Sequence, residues 1–251
     1  MRCRCTCLRR KSGPATARFR TLPSAWEAVR LAEMLKWSGC LVLLALAGLA
    51  LPAQAADWDE VRYDSDHDIR VFTRKVKGSD LKAFRAVTQV SSTLTGLVAL
   101  LEDAPRAKDW VFKCREMTLV EAISPTEAIY YMITDMPWPV KNRDSISHSR
   151  VTQDAVTGTV RVDIDAADGY MGAKKGYVRI REMSGYWLFT PKWNGRVEVI
   201  YEAHADPGGG LPSWLVNSFV VDAPLNTLRG LQDLIADETY QTAQRDYIKN
   251  I

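Results

Sequence analysis

Along most of the chain, apolar or β-branched residues occupy every second position and charged residues fill the gaps, which is the pattern of half-buried strands. Ile69, Val71 and Thr73 alternate in this way and predict a first strand within residues 68–76. Gly78-Ser79-Asp80 supplies a turn, and residues 81–90 predict the second arm of a hairpin. The period then changes. Leu94, Leu97, Val98, Leu100 and Leu101 recur at helical spacing, Ser92 or Thr93 can cap them, and Pro105 sets the end near Asp103. Strand periodicity returns at residues 116–123, 128–134, 145–151, 159–166 and 177–181. Within 159–166, Val160, Val162 and Ile164 oppose Arg161, Asp163 and Asp165, so the charged set is expected on a solvated face. Met136-Pro137-Trp138-Pro139 holds two residues without an N–H and is expected to be a stiff loop.

The last third of the chain carries the longest patterned stretch. Residues 186–189 and 197–203 read as an antiparallel pair joined through Trp193-Asn194-Gly195. Asp206-Pro207-Gly208-Gly209-Gly210 turns the chain sharply, and Pro212 stands at a first helical position. From there Trp214, Val221, Leu225, Leu228, Leu231 and Ile235 follow at spacings of 7, 4, 3, 3 and 4, one face of a helix over residues 212–236. Such a helix is roughly 37 Å long, enough to cross a sheet. Pro224 interrupts it, and Asp222 can cap a restarted second half, which predicts a kink at residues 222–224. Eight or nine strands, mostly antiparallel, with one early helix and one long late helix, define an α+β fold in which a curved sheet wraps a C-terminal helix.

Charge modifies this picture at one end only. The formal net charge is +3, but residues 1–55 hold nine Lys/Arg and two Asp/Glu, which leaves 24 basic against 28 acidic residues, net −4, in the rest. The basic balance therefore gives no reason to expect a nucleic-acid partner. Met34-Leu35-Lys36-Trp37, a 12-residue apolar run from Cys40 to Leu51, and Ala53-Gln54-Ala55 have the form of a signal peptide over residues 34–55, too short in its apolar part for the ~20 residues of a membrane span. Residues 1–33 precede that leader without a role in it and read as an upstream non-native or disordered extension. The expectation is an exported protein, periplasmic if the source is a Gram-negative bacterium and membrane-anchored only if the leader stays uncleaved. Residues 56–251 then form a single domain with one cysteine, Cys114, and no intramolecular disulfide.

Candidate chemistry is sparse. His67, His148 and His204 are widely separated and belong to no metal-ligand motif, so neither a metal nor a cofactor is expected. No nucleophile elbow occurs, and Cys114 reads as a small buried hydrophobe.

Pro137-Trp138-Pro139, Asn142-Arg143-Asp144, Gly185-Tyr186-Trp187 and Asp206-Pro207-Gly208-Gly209 with Leu211-Pro212-Ser213-Trp214-Leu215-Val216-Asn217 together resemble the START (steroidogenic-acute-regulatory-related lipid-transfer) domain family across the whole of residues 56–251. The resemblance implies a helix-grip (START / Bet v 1-like) fold and non-enzymatic binding or transfer of one lipid, sterol-like, hopanoid, phospholipid or fatty acid. The lipid would lie in a tunnel between sheet and C-terminal helix, in a monomer that meets a membrane surface transiently, for instance through Lys174-Lys175. It implies a gating loop near residues 169–175 with the last helix as lid. Some sterol-binding members keep an acid and an arginine inside, and by position these are Glu116 and Arg143 here, with Arg181 an alternative to Arg143. Trp138, Trp187, Phe189 and Trp214 are candidate lining residues, Trp187 and Phe189 on the grip side and Trp214 at the hinge of the lid. The same scaffold supports an alternative, a cyclase- or hydratase-like enzyme, which would need an interior acid or base such as His148, Asp163 or His204.

Overall fold

The computed structural model describes residues 58–250, and the expectations for residues 1–33 and 34–55 lie outside them. Ten strands form one curved sheet. Its order is β1 (Asp59–Asp64), β2 (Ile69–Lys75), β3 (Lys82–Val90), β10 (Val197–Asp206), β9 (Glu182–Pro191), β7 (Val160–Ala166), β6 (Arg143–Gln153), β5 (Glu127–Thr134) and β4 (Cys114–Ser124). β8 (Val178–Ile180) runs parallel beside β6, and the other pairings are antiparallel. The architecture is the α+β helix grip that the pattern of elements predicts. β1 is the strand missing from the sequence reading. Its residues are exposed except Asp64, so it carries no apolar alternation to read.

Between β3 and β4 lie α1 (Leu94–Glu102), a short turn of tighter helix at Ala104–Arg106, and α2 (Ala107–Trp110). Thr93 caps α1 by accepting from the Gly96 N–H, one of the two caps expected. After β10 come α3 (Ser213–Asn217), a π turn (Ser218–Asp222), α4 (Ala223–Ile235) and α5 (Glu238–Gln241).

The interruption expected as a kink at residues 222–224 is found one turn earlier, as the π turn of Ser218–Asp222. Pro224 has no N–H and its ring crowds the carbonyl four residues back, so the ladder widens and the Ala223 N–H reaches five residues back to the Ser218 carbonyl. Asp222 itself is helical and its side chain caps nothing, contrary to expectation. The widened turn also breaks the 3.6-residue phase that joined Trp214 and Val221 to the Leu225–Ile235 stripe. Leu225, Leu228, Leu231 and Ile235 are buried, whereas on α3 the buried residue is Leu215, and Trp214 is 62% exposed.

α4 packs its apolar stripe into a core with Ile69, Val71, Val90, Leu97, Leu100, Trp110, Trp187 and Phe189. The approach to α2 is very close. A Cβ on Gly230 would stand 2.6 Å from the Trp110 carbonyl oxygen and 2.8 Å from its Cα, so only glycine lets the two backbones meet there. The polar side of α4 is fastened to the β1–β2 end of the sheet. Arg229 Nε donates to Asp64 Oδ2 at 2.7 Å, and Gln232 Nε2 donates to the His67 carbonyl at 2.9 Å and to Thr88 Oγ1 at 2.7 Å. α3 and the π turn have no comparable side-chain ties to the sheet among the described residues.

Gly230→Ala is expected to lower stability by about 1–3 kcal/mol through overpacking, read as a lowered denaturation midpoint at unchanged slope. The Arg229 hydrogen bond, followed by the Coulomb attraction of its charge, holds the Asp64 carboxyl below its ordinary 3.8. A carboxyl made more acidic by folding contributes stability above its unfolded value, lost as pH falls through its lower folded value. Stability should therefore drop on acidification below pH 3.8. Asp64→Asn should make that limb shallower, as followed by urea titrations across pH.

Candidate functional site

Alternation along β6 sends Ser145, Ser147 and Ser149 to one face, the concave one. Their ladder partners on the neighbouring strands, Met132, Tyr130 and Ile164, share that face. Together with Met117 of β4, Met183 and Trp187 of β9 and Tyr201 of β10 they floor a cavity of about 120 Å³. Leu101 of α1, Trp110 and Val111 at the end of α2, and Thr227 of α4 roof it. The roof is thus shared between the early helices and the late one, with Thr227 Oγ1 accepting from the Phe112 N–H at 3.1 Å.

The cavity is apolar with a few polar points. Trp187 and Tyr201 stack with ring centroids 4.0 Å apart and 2° between planes, and Trp110 meets Trp187 edge-on at 5.9 Å. Burial alone pushes the Tyr201 hydroxyl up to about 12, and burial, then the nearby Glu102 charge, does the same to Tyr130, so both stay protonated donors. Trp110 Nε1 is buried with no partner among the described residues. Among the described residues no charged side chain lines the space. Such a lining dissolves hydrocarbon and offers hydroxyls to a few polar atoms. It holds no group ionised near neutral pH to move a proton.

The residues singled out in the sequence divide sharply. Trp187 lines the cavity, and Phe189 is fully buried beside it at a centroid distance of 6.3 Å, in the core and off the lining. Glu116 is exposed on β4, across from Ile133, and its neighbour Met117 takes the inward position. Arg143 is buried but occupied with backbone: Nε donates to the Pro207 carbonyl at 3.1 Å, Nη2 to Gly208 at 2.8 Å and Nη1 to Lys141. It secures the turn that enters α3. Arg181 is exposed and pairs with Asp168 at 2.8 Å. Trp138 and Trp214 are exposed and do not line the cavity. These placements correct the readings of Glu116, Arg143, Arg181, Trp138 and Trp214 as tunnel residues. The candidate bases are also elsewhere: His148 contacts Glu127 at 2.6 Å, Asp163 pairs with Arg161, and His204 contacts Ser79.

A buried acid and arginine do exist, at other positions than those expected. Asp144 and Arg179 pair at 2.8 Å with side chains 1% and 4% exposed. They stand on the opposite face of β6, beside the Ile129, Tyr131, Ile133 and Ile146 cluster, where Tyr131 donates to Asp144 Oδ2 at 3.3 Å. Arg179 also donates to the Met171 and Gly172 carbonyls, at 3.1 and 3.2 Å. The loop of residues 167–177, which contains the segment near 169–175 expected to gate the tunnel, is thereby fixed over the convex face, and none of its residues lines the cavity. The serine row and Tyr201 were absent from the sequence-derived set. The repeat Ser145-Ile146-Ser147-His148-Ser149 was the readable signal, lost because serine on a strand ordinarily marks the wet face.

With a curved sheet gripping α4 over an interior cavity, the chain has the form of a helix-grip protein. Residues 49–231 match the START domain family, and the chain belongs to that family. It is 40% identical over 188 residues to an uncharacterized protein of Pseudomonas aeruginosa, covering 75% of this chain and 91% of that one. It is 26% identical over 187 residues to the human phosphatidylcholine transfer protein, covering 72% and 82%. The crystal structure of a STAR-related lipid transfer protein from Xanthomonas axonopodis superposes with a TM-score of 0.66 at 33% identity, over 72% of this chain and 99% of that one. Human StAR-related lipid transfer protein 5 shares the fold, with a TM-score of 0.63 at 16% identity over 82% and 97%.

Removing one member of the buried pair, by Arg179→Met, is expected to destabilise by about 3–5 kcal/mol, while Arg179→Met with Asp144→Leu should recover most of the loss. Equilibrium unfolding of the single and double variants measures this.

Proposed function

We propose that the protein binds and carries one amphipathic lipid, without catalysis, in the cavity between the concave sheet face and the helices. The observation that carries this reading is the uncharged, mostly apolar cavity crossed by a row of serine hydroxyls, in a chain whose relatives include proteins named for lipid and phosphatidylcholine transfer. Each buried methylene stabilises the complex by ~0.8 kcal/mol, so a chain of ten supplies ~8 kcal/mol before ordering costs. At about 120 Å³ the cavity is below the roughly 300–1,000 Å³ of ordinary ligand sites, and this is the closed form. Loading needs the roof to move.

The membrane-facing end in this reading is the start of β6. Arg143 and Arg179 gather there the loop of residues 135–142, the loop of residues 167–177 and the entry to α3. These segments expose Trp138, Tyr170, Met171 and Trp214, together with Lys141 and Lys175. Aromatic rings with adjacent cations suit the headgroup layer. The working unit is a monomer, and export to the periplasm under the leader of residues 34–55 gives it two membranes to serve.

Native mass spectrometry of the protein from its own host is expected to show a bound lipid, and a consistently empty protein would overturn the reading. Met132→Trp, which fills the cavity from β5, should weaken binding of a fluorescent phosphatidylcholine about tenfold or more, the equivalent of roughly two unburied methylenes, with the circular dichroism spectrum retained.

A further inference from the structure

The cavity shares part of its lining with a second space beyond its last serine. Tyr130 and Ser149, which line the cavity, also line a groove of about 320 Å³ that opens at the surface where β4 and β6 finish and β5 begins. β6 runs through both, and from Ser145 in the cavity to Val151 in the groove it advances roughly 20 Å. The groove floor is a registered row of small side chains across three strands, Ala122 against Ala128 against Ser149. Any larger residue on that row would fill it.

The chain's C-terminal segment crosses the groove as a strap. Beyond α5 it is fixed by Ile248 in the core, by Lys249 exchanging hydrogen bonds with Gln153 at 2.8 Å each, and by Asn250 bonded to Thr95. Between these ties and α5, the strap lies along the groove through Arg245 and Tyr247, both held by Glu102 at the end of α1. Arg245 Nε donates to Glu102 Oε2 at 2.7 Å, and the Tyr247 hydroxyl donates to Glu102 Oε1. These three side chains are part-exposed, so the latch is a weak one. Tyr130 stands between cavity and groove, 6% exposed, and the charges of Glu102 and Arg245 reach its phenol.

We propose that the groove is the outer half of the lipid site: it takes the hydrocarbon end of an acyl chain too long for the cavity, under a strap latched by Glu102, Arg245 and Tyr247. This rests on the lipid reading above and assigns the orientation and length selectivity of that site. The occupant is hydrocarbon because the groove continues from Tyr130 and Ser149 over Leu119, Ala122, Pro125, Ala128 and Val151, while its polar lining residues Ser124, Thr126 and Glu127 cluster at the β4–β5 turn and Glu127 is already engaged by His148 and Arg150. Its larger volume supplies the room that the cavity lacks.

The test uses dipalmitoyl-phosphatidylcholine with a diazirine on the terminal carbon of one chain, irradiated on the protein and mapped by peptide mass spectrometry. Adducts are expected within β4, the β4–β5 turn or the strap. Adducts confined to α3, the π turn or the loop of residues 167–177 would overturn the orientation. Ala122→Trp, at an exposed position, and Ala128→Trp provide the second arm. Either should lower affinity for the dipalmitoyl lipid about tenfold, the equivalent of roughly two unburied methylenes, and leave the dioctanoyl lipid unchanged. Equal affinity for the dipalmitoyl lipid in wild type and the Ala122→Trp variant would overturn the groove. A wild-type protein that binds neither lipid counts against the lipid reading itself, a different outcome from failure of the groove.

Discussion

The contact on which the fold depends is the passage of α4 over Trp110 at Gly230. A curved sheet presents more concave surface than one thirteen-residue helix can cover, and the remainder falls to α1 and α2. These early helices and α4 have to meet, and they do so backbone to backbone because position 230 has no side chain. Trp110 then has its indole directed at Trp187, which stacks on Tyr201. The roof of the cavity and its aromatic floor are thus parts of one packed unit, and the volume between them is set by the height at which the helices cross.

The two faces of the sheet are stabilised by different means. In the cavity on the concave side the polar points are neutral hydroxyls and an indole, which an uncharged lining tolerates. On the convex side a buried ion pair is roofed by a loop, with Asp144 Oδ1 and Arg179 Nε left without partners among the described residues. Replacing that pair by apolar side chains would remove the hydrogen bonds to Met171 and Gly172 that fix the loop's path. Arg143 does the same for the turn before α3, so two consecutive residues of β6 and one of β8 set the course of two loops at the same end of the molecule.

Much of the fold was legible because strands with one wet face write their period into the sequence. Ile69, Val71 and Thr73 on β2 and Val160, Val162 and Ile164 on β7 were readable for that reason. β1 was not, since an edge strand exposed along its length has nothing to alternate. The site was harder. Trp187 was found because a large aromatic on a strand pattern is nearly always inside, while Ser145, Ser147 and Ser149 were missed because the inside of this protein is, at that row, polar. Glu116 and Arg143 were expected inside the tunnel by position in the family resemblance. A bulge in β4 between Cys114 and Glu116, and the backbone carbonyls within reach of Arg143, decided otherwise. Neither is written in the residue types. The interruption of the C-terminal helix was legible from Pro224, but its form was not, because a widened turn and a capped restart begin from the same sequence.

Cys114 lies at the start of β4, 7% exposed, and burial pushes its thiol up to about 11. Only the thiolate attacks disulfides, oxidants or maleimides, and at neutral pH this side chain supplies almost none. Residues 58–250 contain no other cysteine. Burial and a raised pKa together make Cys114 slow towards thiol reagents while the domain is folded, so a cysteine introduced on the surface is the one expected to react first.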